Sequence, residues 1–326
     1  HFSPAGRDTG PRGFMETFVP VNAINRTRSY YGCKAAYVDQ IVPEFGTFTM
    51  FADVFCGSLA VSFAAPPCAD HKANDLSGDA INLCWVLQSA RYAELRDRLE
   101  RTVYAEALHD WARSADTEGG TLPTGPDDVG PEHVDWAWRV LVRDWQGRNG
   151  TAGTKRTNIP HARRFTPDGG GGVQRWLSVV HSLQGWRDRL MHIQVIRSDA
   201  FDLIGKYADD PRVCIYADPP YVRATRGRGG TSTYNHDVPT TDQEEREWHA
   251  RLAAALGRFK RARVVVSYYD HAWLRELYQG WTWREMRARS TQGNTNRRGL
   301  QGIPGRSEWL IINGPSFVDN HGPLFA

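Results

Sequence analysis

Asp218-Pro219-Pro220-Tyr221 follows directly on Val213–Ala217 (VCIYA), a run of β-branched and aromatic residues. Two consecutive prolines stop a strand and leave a rigid backbone with no N–H to donate. A carboxylate and a backbone carbonyl would then face outward at the carboxyl edge of a sheet, where doubly wound folds place their ligands. That pair of acceptors fits an exocyclic amino group, which carries two N–H donors. Tyr221 adds a flat surface for stacking a base. The competing reading is a plain Pro-Pro turn.

A second group lies far upstream, in residues 53–61 (DVFCGSLAV). A strand end, a glycine turn at Gly57 and a helix start form a cradle in which helix N-terminal amides meet a ligand. Asp53 and Phe55 precede the turn. Asp75 follows Gly57 by about the spacing at which an acid binds the ribose hydroxyls of a nucleoside cofactor. Taken alone, Asp75 reads more readily as a helix cap than as a ligand.

These residues need elements to hold them. Residues 47–54 and 263–268 read as strands, as do 213–217, 281–286 and 309–312. Residues 59–65, 80–87, 92–106 and 244–259 read as helices, the third charged and amphipathic. Alternating strands and helices with continuously apolar strands predict an α/β fold, a mostly parallel sheet with helices on both faces. The middle of the chain differs. Residues 107–190 are rich in Trp (111, 136, 138, 145, 176, 186) and Arg and cut by glycine-rich loops, which predicts an inserted, mainly helical domain. Core tryptophans in a helical cap are the alternative. Within it, residues 146–164 carry Arg148, Lys155, Arg156, Arg163 and Arg164 without an acid, which suits a phosphate-rich partner. Residues 284–306 hold six Arg against one Glu, including Arg297 and Arg298, and read either as a grip on a polyanion or as a solvated hairpin.

The chain has 326 residues, 40% hydrophobic and 24% charged, values of a core-forming globule rather than a disordered chain. No apolar stretch approaches the roughly 18 residues of a membrane span. Residues 1–20 contain no apolar signal segment and read as an extension outside the fold. Five scattered cysteines form neither a CxxC pair nor a Cys/His cluster, which argues against a disulfide framework or zinc and for buried thiols in a reducing cytoplasm. The net charge of +3 says little, although only five of the 40 basic residues are Lys. Arg forks suit phosphates and guanine edges, but a codon bias gives the same count.

In this order the pieces resemble the Dam-type (D12 class) adenine-N6-specific DNA methyltransferases. Tyr30-Tyr31-Gly32-Cys33-Lys34 is similar to the family's N-terminal aromatic–Gly–Lys motif, residues 53–61 to its first cofactor motif, and Asn74-Asp75 to its ribose-binding acid. Ser198-Asp199-Ala200-Phe201 is similar to the motif that reaches the cofactor adenine. Asp218–Tyr221 matches the catalytic tetrapeptide, and Arg306-Ser307-Glu308-Trp309-Leu310-Ile311 resembles the closing strand.

The resemblance implies a Rossmann-like, S-adenosylmethionine-dependent methyltransferase sheet built from residues 21–106 and 191–326, with 107–190 as target-recognition domain. It implies that Tyr30, Tyr31, Lys34, Asp53, Phe55, Gly57, Asp75, Asp199 and Phe201 bind S-adenosylmethionine, and that Asp218, Pro219, Pro220 and Tyr221 hold a flipped adenine of double-stranded DNA. Arg148, Lys155, Arg156, Arg163, Arg164, Tyr234, Asn235, Arg297 and Arg298 would contact the DNA. No metal and no membrane is expected, and the location is cytoplasmic, in a bacterium or encoded by a phage. Two positions depart from the pattern: Leu59 stands where the family usually has a second Gly, and Cys33-Lys34 where it has Gly-Gly-Lys. Leu59 is therefore expected to crowd the methionine moiety. Cytosine N4 as the methylated amine, or a DNA-binding subunit that has lost catalysis, are the competing functions. A nicotinamide-dependent dehydrogenase shares the cradle but has no need of the tetrapeptide.

Overall fold

The structure, a computed structural model, describes residues 23–29, 33–114, 120–147, 161–162, 171–226, 236, 238–239, 241–287 and 307–318. Tyr30, Tyr31, Arg148, Lys155, Arg156, Arg163, Arg164, Tyr234, Asn235, Arg297 and Arg298 lie outside the described residues, as do residues 1–20.

Seven strands form one mixed sheet: β1 (Met50–Asp53), β2 (Asp70–Asn74), β3 (Gln194–Ile196), β4 (Val213–Ala217), β5 (Arg263–Tyr269), β6 (Thr282–Met286) and β7 (Glu308–Ile312). Their order is β3-β2-β1-β4-β5-β7-β6. β3, β2, β1, β4 and β5 run parallel, while β7 is antiparallel to both β5 and β6. Strand order reverses between β1 and β4, which opens a crevice at their carboxyl ends. Because β7 runs the other way, its first residue, Glu308, comes to that same edge opposite Tyr269.

Alternation along the strands assigns each side chain to a face. Phe51, Cys214, Tyr216, Val265, Leu310 and Ile312 pack under α1 (Val38–Ile41) and α2 (Ala60–Ala64). Ala52, Ile215, Ala217, Val264, Val266 and Ile311 pack under α8 (Ala200–Gly205), α9 (Asp242–Gly257) and α10 (Ala272–Leu277). The expectation of helices on both faces is met. A third apolar cluster joins α3 (Gly78–Gln88), α4 (Tyr92–Glu100), α5 (Glu106–Ser114), α6 (Pro131–Gln146) and α7 (Gly172–Leu190) to Ala73 and Val195 of the sheet.

Local reading and structure part company in two places. The helix expected over residues 92–106 ends at Glu100 as α4, and the next helix, α5, begins only at Glu106. Tertiary partners capture its backbone: Trp138 and Trp176 donate their indole N–H groups to the Thr102 hydroxyl (2.8 Å) and carbonyl (3.0 Å), and the Gln146 amide bonds Val103 and Ala105. β2 (DHKAN) and β3 (QVI) carried too weak an apolar pattern to read as strands, and backbone pairing within the sheet makes them so.

Five tryptophans of the middle region, Trp136, Trp138, Trp145, Trp176 and Trp186, are buried core residues, whereas Trp111 is exposed. Several arginines there serve the fold. Arg143 pairs with Asp79, Arg175 donates to the Trp145 and Gly147 carbonyls, and Arg187 and Arg189 bond backbone carbonyls beside α3 and α2.

Candidate active site

The acids singled out by the sequence come one per strand. Asp53 ends β1, Asp75 follows β2, Asp199 lies just beyond β3, and Asp218 follows β4. Parallel strands in register bring these ends to one edge, around a cavity of about 450 Å³, a size ordinary for small-molecule sites. Lys34, Asp53, Phe55, Gly57, Asp75, Asp199, Phe201, Asp218, Pro219, Pro220 and Tyr221 all line it.

Asn74 staples the edge together. Its amide donates to the carbonyls of Val54 and Ser198, both at 3.0 Å, and its oxygen accepts the Ser198 amide at 2.9 Å. Asp75 accepts from the Gly57 amide (2.8 Å) and the Ser77 amide (2.9 Å), so it ties the glycine turn to the end of β2. The helix cap falls instead to Ser77, whose hydroxyl faces the Ala80 amide. Burial raises the Asp75 carboxyl, and those two amide bonds oppose the rise.

Asp53 is 1% exposed. Oδ2 accepts the Ser62 hydroxyl at 2.7 Å, whereas Oδ1 has no hydrogen-bond partner among the described residues. Burial pushes this carboxyl up to about 7 against the Ser62 bond, and the charges of Asp218 and Asp75 add to the shift.

Asp218 keeps 21% of its side chain accessible, so its carboxylate can be reached from the cavity. Lys34 Nζ stands 2.9 Å from Asp218 Oδ2 and 3.6 Å from Glu308 Oε1, and lies over the Tyr221 ring at 4.9 Å. The Tyr221 hydroxyl donates to Glu308 at 3.4 Å, while its ring packs edge-on against Tyr269 at 4.7 Å. Burial raises Asp218, opposed by Lys34 and by the Tyr221 hydroxyl. Burial also raises Glu308, with Lys34 opposing and Asp218 adding to it.

The other end of the cavity is aromatic. Phe55 and Phe201 each contact Trp248 of α9, at 6.3 and 5.7 Å between ring centroids. Asp199 caps α8 by accepting the Phe201 amide at 2.8 Å, which sets where Phe201 starts.

Leu59 has φ 63° and ψ 11°, a left-handed conformation that costs a side-chain-bearing residue roughly 1–2 kcal/mol. That is a physical reason for glycine at such a position. Its side chain is fully buried in the helical cluster and is not among the residues lining the cavity. The expected crowding of the cavity is therefore absent. Cys33 does line it, 3.1 Å from the Ser58 hydroxyl.

Reading the sequence alone left out Trp248, Tyr269 and Glu308 as site residues. Trp248 sits in a charged helix with nothing local to mark it, and Tyr269 ends an apolar strand. Glu308 was legible only as an acid beginning a strand that must be buried.

The donor set fits the cofactor of such a site. Aromatic walls suit a purine, Asp75 suits a ribose diol, and buried carboxylates with an unspent oxygen suit an ammonium or sulfonium cation. Among the described residues no group of three or more His, Cys, Asp and Glu could hold a metal ion, and no helix is long and apolar enough to cross a membrane.

Sheet order, antiparallel β7 and a cavity at the switch point are consistent with a methyltransferase fold. Residues 30–113 match the family model of the D12 class N6 adenine-specific DNA methyltransferases, the family that the sequence motifs resemble. No curated protein matches the chain.

Proposed function

We propose that the protein is a site-specific DNA methyltransferase that transfers a methyl group from S-adenosylmethionine to N6 of an adenine. The observation that carries this reading is the convergence of Asp53, Asp75, Asp199 and Asp218–Tyr221 on one cavity, from motifs scattered over more than half the chain. When bound, S-adenosylmethionine supplies an electrophilic methyl group on a positively charged sulfur. Asp75 would hold the ribose and Asp199 meet the adenine in a pocket lined by Phe55, Gly57, Phe201, Lys34 and Asp53, and Tyr30 and Tyr31 are assigned to the same cofactor.

The target amine is a poor nucleophile because its lone pair is delocalised into the ring. Hydrogen bonds to the Asp218 carboxylate and the Pro219 carbonyl favour a tetrahedral nitrogen and stabilise the positive charge it develops. As the nitrogen–carbon bond forms, the carbon–sulfur pair stays on sulfur, and the surplus proton leaves the nitrogen for Asp218 or solvent. Positioning does the rest. The base has to leave the stack to reach Asp218, so Tyr221 serves as its stacking face, with Pro220 holding the turn. Residues 107–190 are the part we assign to target recognition. Arg148, Lys155, Arg156, Arg163, Arg164, Tyr234, Asn235, Arg297 and Arg298 are assigned to the DNA strand.

The test is methyl transfer from labelled S-adenosylmethionine to duplex DNA, with analysis of the product nucleoside. N6-methyl-2′-deoxyadenosine from the wild type, abolished in Asp218→Ala while DNA binding persists, is the expected result. Substantial turnover by Asp218→Ala would sink the assignment, and N4-methylcytosine would move it to the other exocyclic amine.

A further inference from the structure

Glu308 has no part in the reaction just described, yet its surroundings are not those of a structural ion pair. It is 3% exposed, and Oε2 has no hydrogen-bond partner among the described residues. A buried carboxylate with unspent acceptor capacity is costly. Lys34, 4% exposed, does not require it, because Asp218 already lies at 2.9 Å. An apolar side chain at the start of β7 would pack there without that cost.

Resting on the methyltransferase reading, we propose that Glu308 is a positioning residue that draws the Lys34 ammonium off Asp218 when the target amine arrives. Lys34 now sits on Oδ2 of Asp218, as a donor competing for the carboxylate that the amine needs. Glu308 Oε1 waits 3.6 Å from the same nitrogen, so a movement below one ångström exchanges one partner for the other. Charge counting points the same way. Lys34 and Asp218 alone form a neutral pair, which does little for a nitrogen acquiring positive charge. With Glu308 the three groups carry a net negative charge, and that charge faces the nitrogen as it is methylated. Glu308 also accepts the Tyr221 hydroxyl, so the same carboxylate orients the stacking ring.

Other polar groups around the pair come from every neighbouring element. Tyr37 precedes α1, Asp53 ends β1, Tyr216 lies on β4, Tyr268 and Tyr269 end β5, and Arg226 donates to the Tyr221 carbonyl. Among the charges acting on Asp218 and Glu308, Lys34 is the cation common to both.

The experiment is steady-state methyl transfer by the full chain as wild type, Glu308→Gln and Glu308→Asp, across the acid limb of the pH profile. Expected for Glu308→Gln is a kcat lower by about 10–100-fold, with the cofactor KM within about twofold. Its acid limb moves to lower pH, because removing one negative charge and committing Lys34 to Asp218 both ease ionisation of Asp218. Glu308→Asp, which keeps the charge, restores part of both. A kcat within about threefold of wild type overturns the proposal. So does a fall in kcat with the acid limb unmoved, or an equal loss in the two variants, the signature of damaged packing. A wild type that transfers no methyl group overturns the methyltransferase reading and this proposal together. An active wild type with unimpaired Glu308→Gln overturns the role of Glu308 alone.

Discussion

Two buried charge clusters, one in the helical layer and one beside the cavity, are built on opposite terms. In the helical layer, Arg28 bonds Asp144 at 2.7 Å, Asp79 at 3.2 Å and Ser77 at 3.3 Å. Arg143 reaches Asp79 at 2.5 Å and Asp144 at 3.1 Å, and the Trp136 indole donates to Asp79 at 2.7 Å. Two cations face two acids. Burial alone would raise Asp79, but Arg143 and Arg28 overcome it and hold the carboxyl well below its ordinary range. At the cavity, Asp218 and Glu308 share Lys34, and Asp53 and Glu308 each keep an oxygen with no hydrogen-bond partner among the described residues. Their carboxyls are raised. Full pairing makes an architectural joint, whereas a surplus of buried negative charge leaves attraction unspent for a ligand.

That contrast is open to attack by substitution. The largest effect on stability is expected in the paired cluster. Arg28→Met leaves Asp79 and Asp144 short of a cation and should cost about 3–5 kcal/mol in urea unfolding, while Asp218→Ala costs nothing comparable. Equal losses at the two sites would erase the distinction.

Asp53→Asn should do the reverse and stabilise. A carboxyl at about 7 in the folded chain, against an ordinary value of 3.8, binds its proton more tightly when folded. Its contribution to stability is therefore whole below the ordinary value, declines as pH rises, and is gone above about 7. The variant should exceed wild type by up to about 4 kcal/mol at pH 8, the gap closing as pH falls toward 4. Denaturant curves at several pH values check this, and a gap independent of pH would refute it.

Leu59→Gly sets backbone strain against burial. Relief of a left-handed φ returns about 1 kcal/mol, but emptying the fully buried Leu position costs more, so a net loss of about 2–3 kcal/mol is expected. Calorimetric affinity for S-adenosylmethionine should change less than about threefold, since the side chain lies off the cavity. Tenfold tighter binding would show that Leu59 does obstruct it. The smallest effect is that of Trp248→Ala, about 1 kcal/mol of cofactor affinity with DNA binding intact.

Much of the site was legible in the sequence. Asp218-Pro219-Pro220-Tyr221 after an apolar strand, and a glycine turn with an acid behind it, identify themselves through the chemistry of adjacent residues. Element types were legible where the apolar period was strong, as in β4, β5 and α9. They were not where tertiary hydrogen bonds override local preference, as at Thr102 and in the polar strand β2.

The order of residues along the chain thus determined which groups exist and which neighbours share a turn. It also placed Leu59 where the resembled family usually has a second glycine. Only the tertiary structure decided that Lys34 and Glu308, separated by most of the chain, flank Asp218, and that Trp248 completes the aromatic end. It decided as well that most of the described arginines of the middle region are spent on the fold. The reason is that pairing and desolvation act over a few ångströms in space, a separation that position in the chain does not record.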